Sequence, residues 1–476
     1  MGKSFYENGM KDKRAVFNFI YRKAPENNNW AVVCGTDDVV EMICNLGNED
    51  ESFFEKFLPG EDYAEFRSYL SKLHFSGNVW AMREGEIAFP NEPIIIIEGP
   101  IIEAQLLETP LLCIMNHQMA VATKASRVCR ATNRPVSEFG SRRAHGPWAA
   151  IYGAKAAIIA GCANTSNILT GVKYSVPSTG TMAHSYITSF GCSVEGEHNA
   201  FDTYCKTHKG EPLILLIDTY DTLRCGIHNA IRTFKENSID DSYKPLYGIR
   251  LDSGGLAYLS QKCREILDSN GLTECKIFAT NGLDEYLIAD LERQGAKIDS
   301  YGVGDAIATS KDAPCFGGVY KLVQLDDMPV LKRSEDKIKL INPGFQITYR
   351  LQENGINDLD MTCLRGDATE QAILAGERLL AVDEFDRYKR KIFEKGSYTA
   401  RALQSQVIKD GKDIRNEYSL TEKKEYYNTV LHQFDPSERR LLNPHYYKVD
   451  ISSELYDTKN QIIERLNAQI KEFYNR

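Results

Sequence analysis

One pattern recurs along the middle of this chain and limits what it can fold into. Five times over, a short apolar run ends in small, hydroxyl-bearing or acidic residues. Lys173 to Val176 leads to PSTGTMAH, and Leu213 to Ile217 leads to Asp218-Thr219-Tyr220-Asp221. Leu246 to Leu251 leads to Asp252-Ser253-Gly254-Gly255, Lys276 to Ala279 to Thr280-Asn281-Gly282, and Ile298 to Val303 to Gly304-Asp305. Helical stretches intervene, most clearly Leu256 to Leu267 and Asp284 to Gln294. Short apolar strands alternating with helices at this spacing build βαβ units on a parallel sheet. Whether such a sheet is open or closed into a barrel, ligands bind beyond the carboxyl ends of its strands. The endings therefore point to one shared site.

The flanks read differently. Val16 to Tyr21 and Trp30 to Cys34 are expected as strands about a hairpin tip at Asn27-Asn28-Asn29, and Pro93 to Pro100 as a buried strand. Thr109-Pro110 has the form of an N-cap followed by proline at the first helical position, opening a long helix that ends near Thr132. After Lys337 the rhythm stops. The segment from Asp367 to Arg476 is charged, tyrosine-rich and expected to be helical or irregular apart from a strand near Tyr447, returning to pack on the N-terminal domain. The expected division is 1–112, 113–337 and 338–476, within the two-domain range that 476 residues suggest.

Composition excludes several classes. A net charge of −9 argues against wholesale binding to nucleic acid or a membrane surface. The apolar runs are too short to span a bilayer. The start, MGKSFYENGMKDKR, has no signal-peptide core, and Tyr6 stands where a myristoylation pattern needs Ser or Thr. The twelve cysteines contain no C-x-x-C pair for zinc, so reduced thiols in a cytoplasmic protein are expected.

Several residues have the chemistry for a site. In Glu138-Phe139-Gly140-Ser141-Arg142-Arg143-Ala144-His145, the guanidinium forks of Arg142 and Arg143 match phosphate or carboxylate oxygens, although a solvated basic turn is an equal reading in isolation. His184, among small residues at an expected strand end, is a candidate reacting imidazole. His117, His198 and His228 lack such surroundings. Asp218, Asp221 and Asp252 suit ribose hydroxyls, Mg²⁺ or plain helix capping. Arg250 and Asp252 are two apart on one strand and so point the same way. Gly302 and Gly304 offer close-packed N–H groups to a phosphate, with neither a Walker nor a Rossmann pattern around them. Phe316 to Tyr320 is expected as a hairpin.

Together these stretches resemble the nicotinate phosphoribosyltransferase family. The matching runs are KRAVFNFIYRK, EFGSRRAHG, GTMAHS, LLIDTYDT, GIRLDSGG, TNGLDE, YGVGD and FGGVYKLV, in family order from Lys13 to about Gly344, with NPHYYKVDIS near the end. The resemblance implies a type II phosphoribosyltransferase fold: an irregular, TIM-like α/β barrel plus a split α/β N-terminal domain completed by the C-terminal segment. It implies homodimers with shared active sites. The implied reaction joins nicotinate to phosphoribosyl pyrophosphate (PRPP), giving nicotinate mononucleotide and pyrophosphate in NAD synthesis. ATP use is coupled through a phosphohistidine, which matches His184 of GTMAHS. On this resemblance Arg142 and Arg143 take pyrophosphate oxygens with Mg²⁺ held by the substrate phosphates, without a dedicated metal site. Asp252 holds the ribose, Asp218 and Ser185 bind substrate, and Gly302 and Gly304 cradle the 5′-phosphate. Arg250 and Thr181 orient the nicotinate carboxylate.

Three departures accompany the resemblance. The family's TDLYQLTM-like run ends at about Met1, so its ring-stacking aromatic is expected to be missing, with Tyr6 the nearest substitute. Gly255 stands where members commonly have Asp, and Asp305 where a threonine is common. The related nicotinamide enzyme holds the amide with an Asp, whereas the corresponding stretch here is Asn164-Thr165-Ser166-Asn167, which favours an anionic base. A weakened relative serving as a binding or scaffold subunit is the reading of another class.

Overall fold

The computed structural model describes residues 1–25, 28–47, 49–244, 246–333, 340–384 and 386–475. The chain forms two compact units, one of residues 121–314 and one of residues 1–120 with 315–476.

The 121–314 unit is built on a curled, six-stranded parallel sheet. Its order is Asn164–Thr165, Val136–Glu138, Ser300–Val303, Lys276–Ala279, Tyr247–Leu251, Leu213–Leu216. Among the described residues the first and last of these share no ladder, so this is an irregular, incomplete α/β barrel. Four of the expected strands form, with helices Leu256–Ser269 and Glu285–Arg293 between them. The fifth does not. Residues around Lys173 lie in a helix, Ile168–Tyr174, because the Asn167 side chain caps it by accepting the Thr170 N–H. Its place in the sheet is taken by Asn164–Thr165, and Val136–Glu138 lies beside it. Strands of two and three residues carry no periodicity that a sequence can reveal.

The second unit carries an antiparallel seven-stranded sheet, ordered Met328–Pro329, Gly318–Leu325, Arg14–Tyr21, Ile95–Pro100, Asn78–Met82, Gln404–Lys409, Lys412–Asp413. The Gln404–Lys409 strand pairs with Asn78–Met82, which is the expected return of the C-terminal segment onto the N-terminal domain. Gly318–Leu325 pairs with Arg14–Tyr21, so Phe316 to Tyr320 is not a hairpin but the entry to a long-range ladder. The same pairing assigns residues 318–325 to this unit, whereas the sequence division placed them in the 113–337 segment; position 337 itself lies outside the described residues.

Other elements shift too. Of Trp30 to Cys34 only Ala31–Val32 is strand, and it pairs with Ile87–Ala88 rather than folding back on Arg14–Tyr21; Asn27 of the expected tip lies outside the described residues. The long helix is Glu108–Arg130, starting just before Thr109-Pro110, with Pro110 in a first turn that has no intrahelical use for its missing N–H. After residue 367 the chain is richer in strands than expected, with Leu379–Val382, Arg390–Phe393, Thr399–Ala402 and Gln404–Lys409 besides Lys448–Ile451. Leu379–Val382 and Arg390–Phe393 pair with each other, whereas Thr399–Ala402 takes a partner far along the chain, with Tyr349 opposite Ala402.

At the heart of this unit Arg350 is fully buried. It donates from Nη1 to Glu86 at 2.6 Å, from Nε and Nη2 to Asp360 at 2.8 and 2.6 Å, and to the Ile87 carbonyl at 2.8 Å. Tyr447 adds its hydroxyl to Asp360 at 2.9 Å, which places the NPHYYKVDIS run in this network. Burial works against the charge of Glu86, but Arg350 and Arg401 outweigh it and hold its pKa low. Breaking a buried pair from one side leaves the remaining charges stranded. Arg350→Ala is therefore expected to cost about 3–5 kcal/mol in denaturant unfolding; a loss below about 1 kcal/mol would show that the carboxylates find other partners.

Candidate active site

The parallel register sets the site. Leu251 lies opposite Ala279, and Ala279 opposite Tyr301, so the next residues Asp252, Thr280 and Gly302 reach one level at the strand ends. One step earlier Arg250 faces Phe278. Side chains alternate along each strand, and Ser137, Ser300, Gly302, Phe278, Thr280, Arg250 and Ile214 line a cavity of about 390 Å³. Phe139, Thr181 and Asn164 add to its wall at the carboxyl end, and Pro135, Pro212, Leu246, Lys276 and Asp299 line it at the amino ends of the strands.

Arg250 is the hub. Its Nε donates to Thr280 Oγ1 at 2.9 Å, Nη1 to Thr181 Oγ1 at 2.6 Å and the Met182 carbonyl at 3.3 Å, and Nη2 to Asp252 Oδ1 at 2.9 Å. Of five N–H donors this leaves one, on Nη2. The Thr280 hydroxyl donates to Asp252. Burial works against the charge of Asp252, but the Thr280 hydroxyl and Arg250 outweigh it and hold its carboxyl below the usual range.

Asp218 is nearly fully buried, and its Oδ2 accepts the Asp252 N–H at 2.9 Å and the Ser253 hydroxyl at 2.6 Å. Its Oδ1 is buried and has no hydrogen-bond partner among the described residues. His184 is the first residue of a short helix, His184–Thr188, and not the end of a strand. Its Nδ1 lies 3.1 Å from Thr219 Oγ1, while Nε2 lies 3.9 Å from Asp218 Oδ1 and 3.7 Å from Asp252 Oδ2. With the ring 43% exposed, Nε2 is an accessible nitrogen between two carboxylates.

Gly302 and Gly304 stand at the end of Ser300–Val303. A Cβ on Gly302 would lie 2.7 Å from Thr280 Cγ2 and 3.0 Å from the Phe139 ring, so glycine is required by close approach. Gly304 packs on Phe139 and Gly140, next to the exposed Ser141–Arg143 turn. Neither Arg142 nor Arg143 has a side-chain hydrogen bond or ion pair among the described residues, which leaves both forks open to an anion.

Not every candidate joins the cluster. Asp221 accepts the Leu223 and Arg224 N–H groups and is a cap. Ser185 is exposed, and its hydroxyl makes no hydrogen bond among the described residues. His198 is buried between Thr233 and Glu236. Tyr6 packs its ring on Phe66 and Tyr69 at 5.7 and 5.1 Å. Asp305 is exposed in the first turn of Asp305–Ala308, and Gly255 precedes Leu256–Ser269 with open space around it. Sequence reasoning assigned no role to Thr280, Thr219 or Phe139. Only the position of Thr280 just past a strand end marked it, since hydroxyl and aromatic residues are common in any loop.

If Arg250 sustains the low pKa of Asp252, carbon-13 NMR of the carboxyl groups in Arg250→Ala will show that pKa moved upward, and an unmoved midpoint would detach the two. The stability that this ionised carboxylate contributes is present above the ordinary aspartate value of about 3.9 and lost as pH falls through the lower folded value.

Comparison with known proteins places the chain in a family. Residues 1–116 match the nicotinate phosphoribosyltransferase (NAPRTase) N-terminal domain and residues 346–459 the nicotinate phosphoribosyltransferase C-terminal domain. The nicotinate phosphoribosyltransferase of Bacillus subtilis (strain 168) is 35% identical over 481 residues, covering 99% of this chain and 95% of that protein. That of Dictyostelium discoideum is 31% identical, covering 97% and 86%. The crystal structure of human nicotinic acid phosphoribosyltransferase superposes with a TM-score of 0.82 at 25% identity, covering 97% of this chain and 98% of the human one. The chain belongs to the nicotinate phosphoribosyltransferase family.

Proposed function

We propose that this chain joins nicotinate to PRPP, forming nicotinate mononucleotide and pyrophosphate in NAD biosynthesis, with ATP use coupled through His184. The observation that carries the reading is Arg250, held at the cavity wall with one N–H unspent, opposite aromatic and glycine walls. A flat pyridine fits beside Phe139, and its carboxylate meets the Arg250 fork and the Thr181 hydroxyl. Asn164-Thr165-Ser166-Asn167 adds no carboxylate to this wall, so an anionic base is not repelled there. As the C1–pyrophosphate bond breaks, positive charge grows on the ribose beside Asp252, and negative charge on the leaving group is met by Arg142 and Arg143. The tightly packed backbone at Gly302 and Gly304 cradles the 5′-phosphate.

Among the described residues no group of three His, Cys, Asp or Glu side chains is placed to hold a metal. The unpartnered Asp218 Oδ1, with Asp252 Oδ2 near the same imidazole, suits Mg²⁺ that takes its other ligands from phosphates. Bound there, Mg²⁺ would neutralise phosphate charge. In the tautomer where His184 donates from Nδ1 to Thr219, Nε2 has a lone pair for the γ-phosphorus of ATP; the bond to the bridging oxygen breaks and ADP leaves. Trp148, Ile168, Leu169 and Val172 are 65–76% exposed on neighbouring stretches of this unit, which supports association with a second copy.

Arg250→Ala is expected to raise the KM for nicotinate about 10- to 150-fold, and that for PRPP less, because a charge-assisted hydrogen bond is lost. A raised PRPP KM alone would reverse the assigned roles, and equal turnover of nicotinamide would point to the amide-using relative. Incubation with ATP and Mg²⁺ should place an acid-labile phosphate on the protein that is lost in His184→Ala. Acid-stable phosphate would implicate Ser185 instead.

A further inference from the structure

The side chains of Arg142 and Arg143 have no hydrogen-bond or ion-pair partners among the described residues, yet the place of their turn is set by a closed ring of hydrogen bonds below it. Glu138, 2% exposed at the end of Val136–Glu138, accepts the Gly140 N–H on Oε1 at 2.5 Å and the Thr165 hydroxyl on Oε2 at 2.6 Å. Thr165 Oγ1 in turn accepts the Asn167 N–H at 3.0 Å, and the Asn167 side-chain amide donates to Ser141 Oγ at 3.0 Å. Ser141 directly precedes Arg142, so the ring closes through Gly140. The Ser166 N–H adds a bond to the Glu138 carbonyl at 2.9 Å. On its other side the turn has no slack, because a Cβ on Gly140 would meet Ala308 Cβ at 2.5 Å and the Gly304 carbonyl at 2.7 Å.

We propose that Glu138 is a positioning residue for PRPP: through Gly140 and the Thr165–Asn167–Ser141 chain it fixes the turn that presents Arg142 and Arg143 to the pyrophosphate. A buried carboxylate is a costly way to hold a turn unless its placement matters. Burial pushes the Glu138 pKa up, and the Thr165 hydroxyl and Gly140 N–H work the other way. Both oxygens face donors; a glutamine side chain keeps only one acceptor, so its NH₂ forces the Thr165 hydroxyl to turn from donor to acceptor and loosens the ring. The stretch Asn164 to Asn167 thereby acquires a task besides lining the base pocket. It ties the leaving-group side of the site to the strand ends.

This inference rests on the assignment of Arg142 and Arg143 to pyrophosphate, and the test separates the two. Steady-state kinetics and thermal unfolding are measured for the full chain and for Glu138→Gln, Thr165→Val and Arg142→Ala. The expectation is a PRPP KM raised about 10-fold in Glu138→Gln and in Thr165→Val, with nicotinate KM within about 2-fold of the parent. The double variant should be no worse than the stronger single one, because both loosen the same ring. Thr165→Val keeps the volume and adds no charge, so it reports even where Glu138→Gln folds poorly. A raised PRPP KM in Arg142→Ala with an unchanged one in both ring variants overturns the positioning role alone. A lowered Tm with both KM values unchanged makes Glu138 merely structural, and likewise overturns it. An unchanged KM in Arg142→Ala overturns the pyrophosphate assignment and this inference with it.

Discussion

The parallel register of the curled sheet is the constraint from which the site follows. Once Leu251, Ala279 and Tyr301 pair side by side, Asp252, Thr280 and Gly302 must emerge at one level, and no loop needs to be rigid on its own account. Parallel strands also share a direction, so every strand delivers its terminal residues to the same side. Polar groups arriving there can satisfy one another. The Arg250–Thr280–Asp252 triangle does so across neighbouring strands, and Thr181 closes it from a loop outside the sheet.

That triangle leaves charge in a defined state. Asp252 is kept ionised by a cation two residues away on its own strand and a hydroxyl on the next. Asp218 spends one oxygen on the Asp252 backbone and Ser253 and leaves the other bare beside His184. The imidazole Nε2 thus faces two carboxylates at distances too long for hydrogen bonds, with its ring partly open to solvent. The other unit depends on the opposite arrangement. There Arg350 is enclosed with Glu86 and Asp360, and its donors serve the fold.

Much of this was legible in the sequence, for a physical reason. Strands such as Leu213–Leu216 and Tyr247–Leu251 are buried on both faces, so they read as continuous apolar runs, and the residues after them could be picked out as a set. Arg250 and Asp252 followed from period two alone. What failed were features decided by distant partners. Lys173 to Val176 looked like a strand until Asn167 capped a helix across it, which moved His184 from a strand end to a helix start. Phe316 to Tyr320 looked like a local hairpin, but it leads into Gly318–Leu325, whose long ladder is with Arg14–Tyr21, some 300 residues away. The ring under the arginine turn was invisible because Glu138 and Thr165 meet only after their two short strands pair.

The central claim is that the strand ends form one site in which Arg250 receives the carboxylate of the base and the Gly302–Gly304 turn receives a phosphate. A crystal structure with nicotinate mononucleotide tests it most directly. The pyridine carboxylate is expected within hydrogen-bond reach of Arg250 and Thr181, the ring beside Phe139, and the 5′-phosphate on the backbone at Gly302 to Gly304. A mononucleotide bound with its carboxylate elsewhere, and Arg250 still engaged only by Thr181, Met182, Thr280 and Asp252, would overturn this assignment.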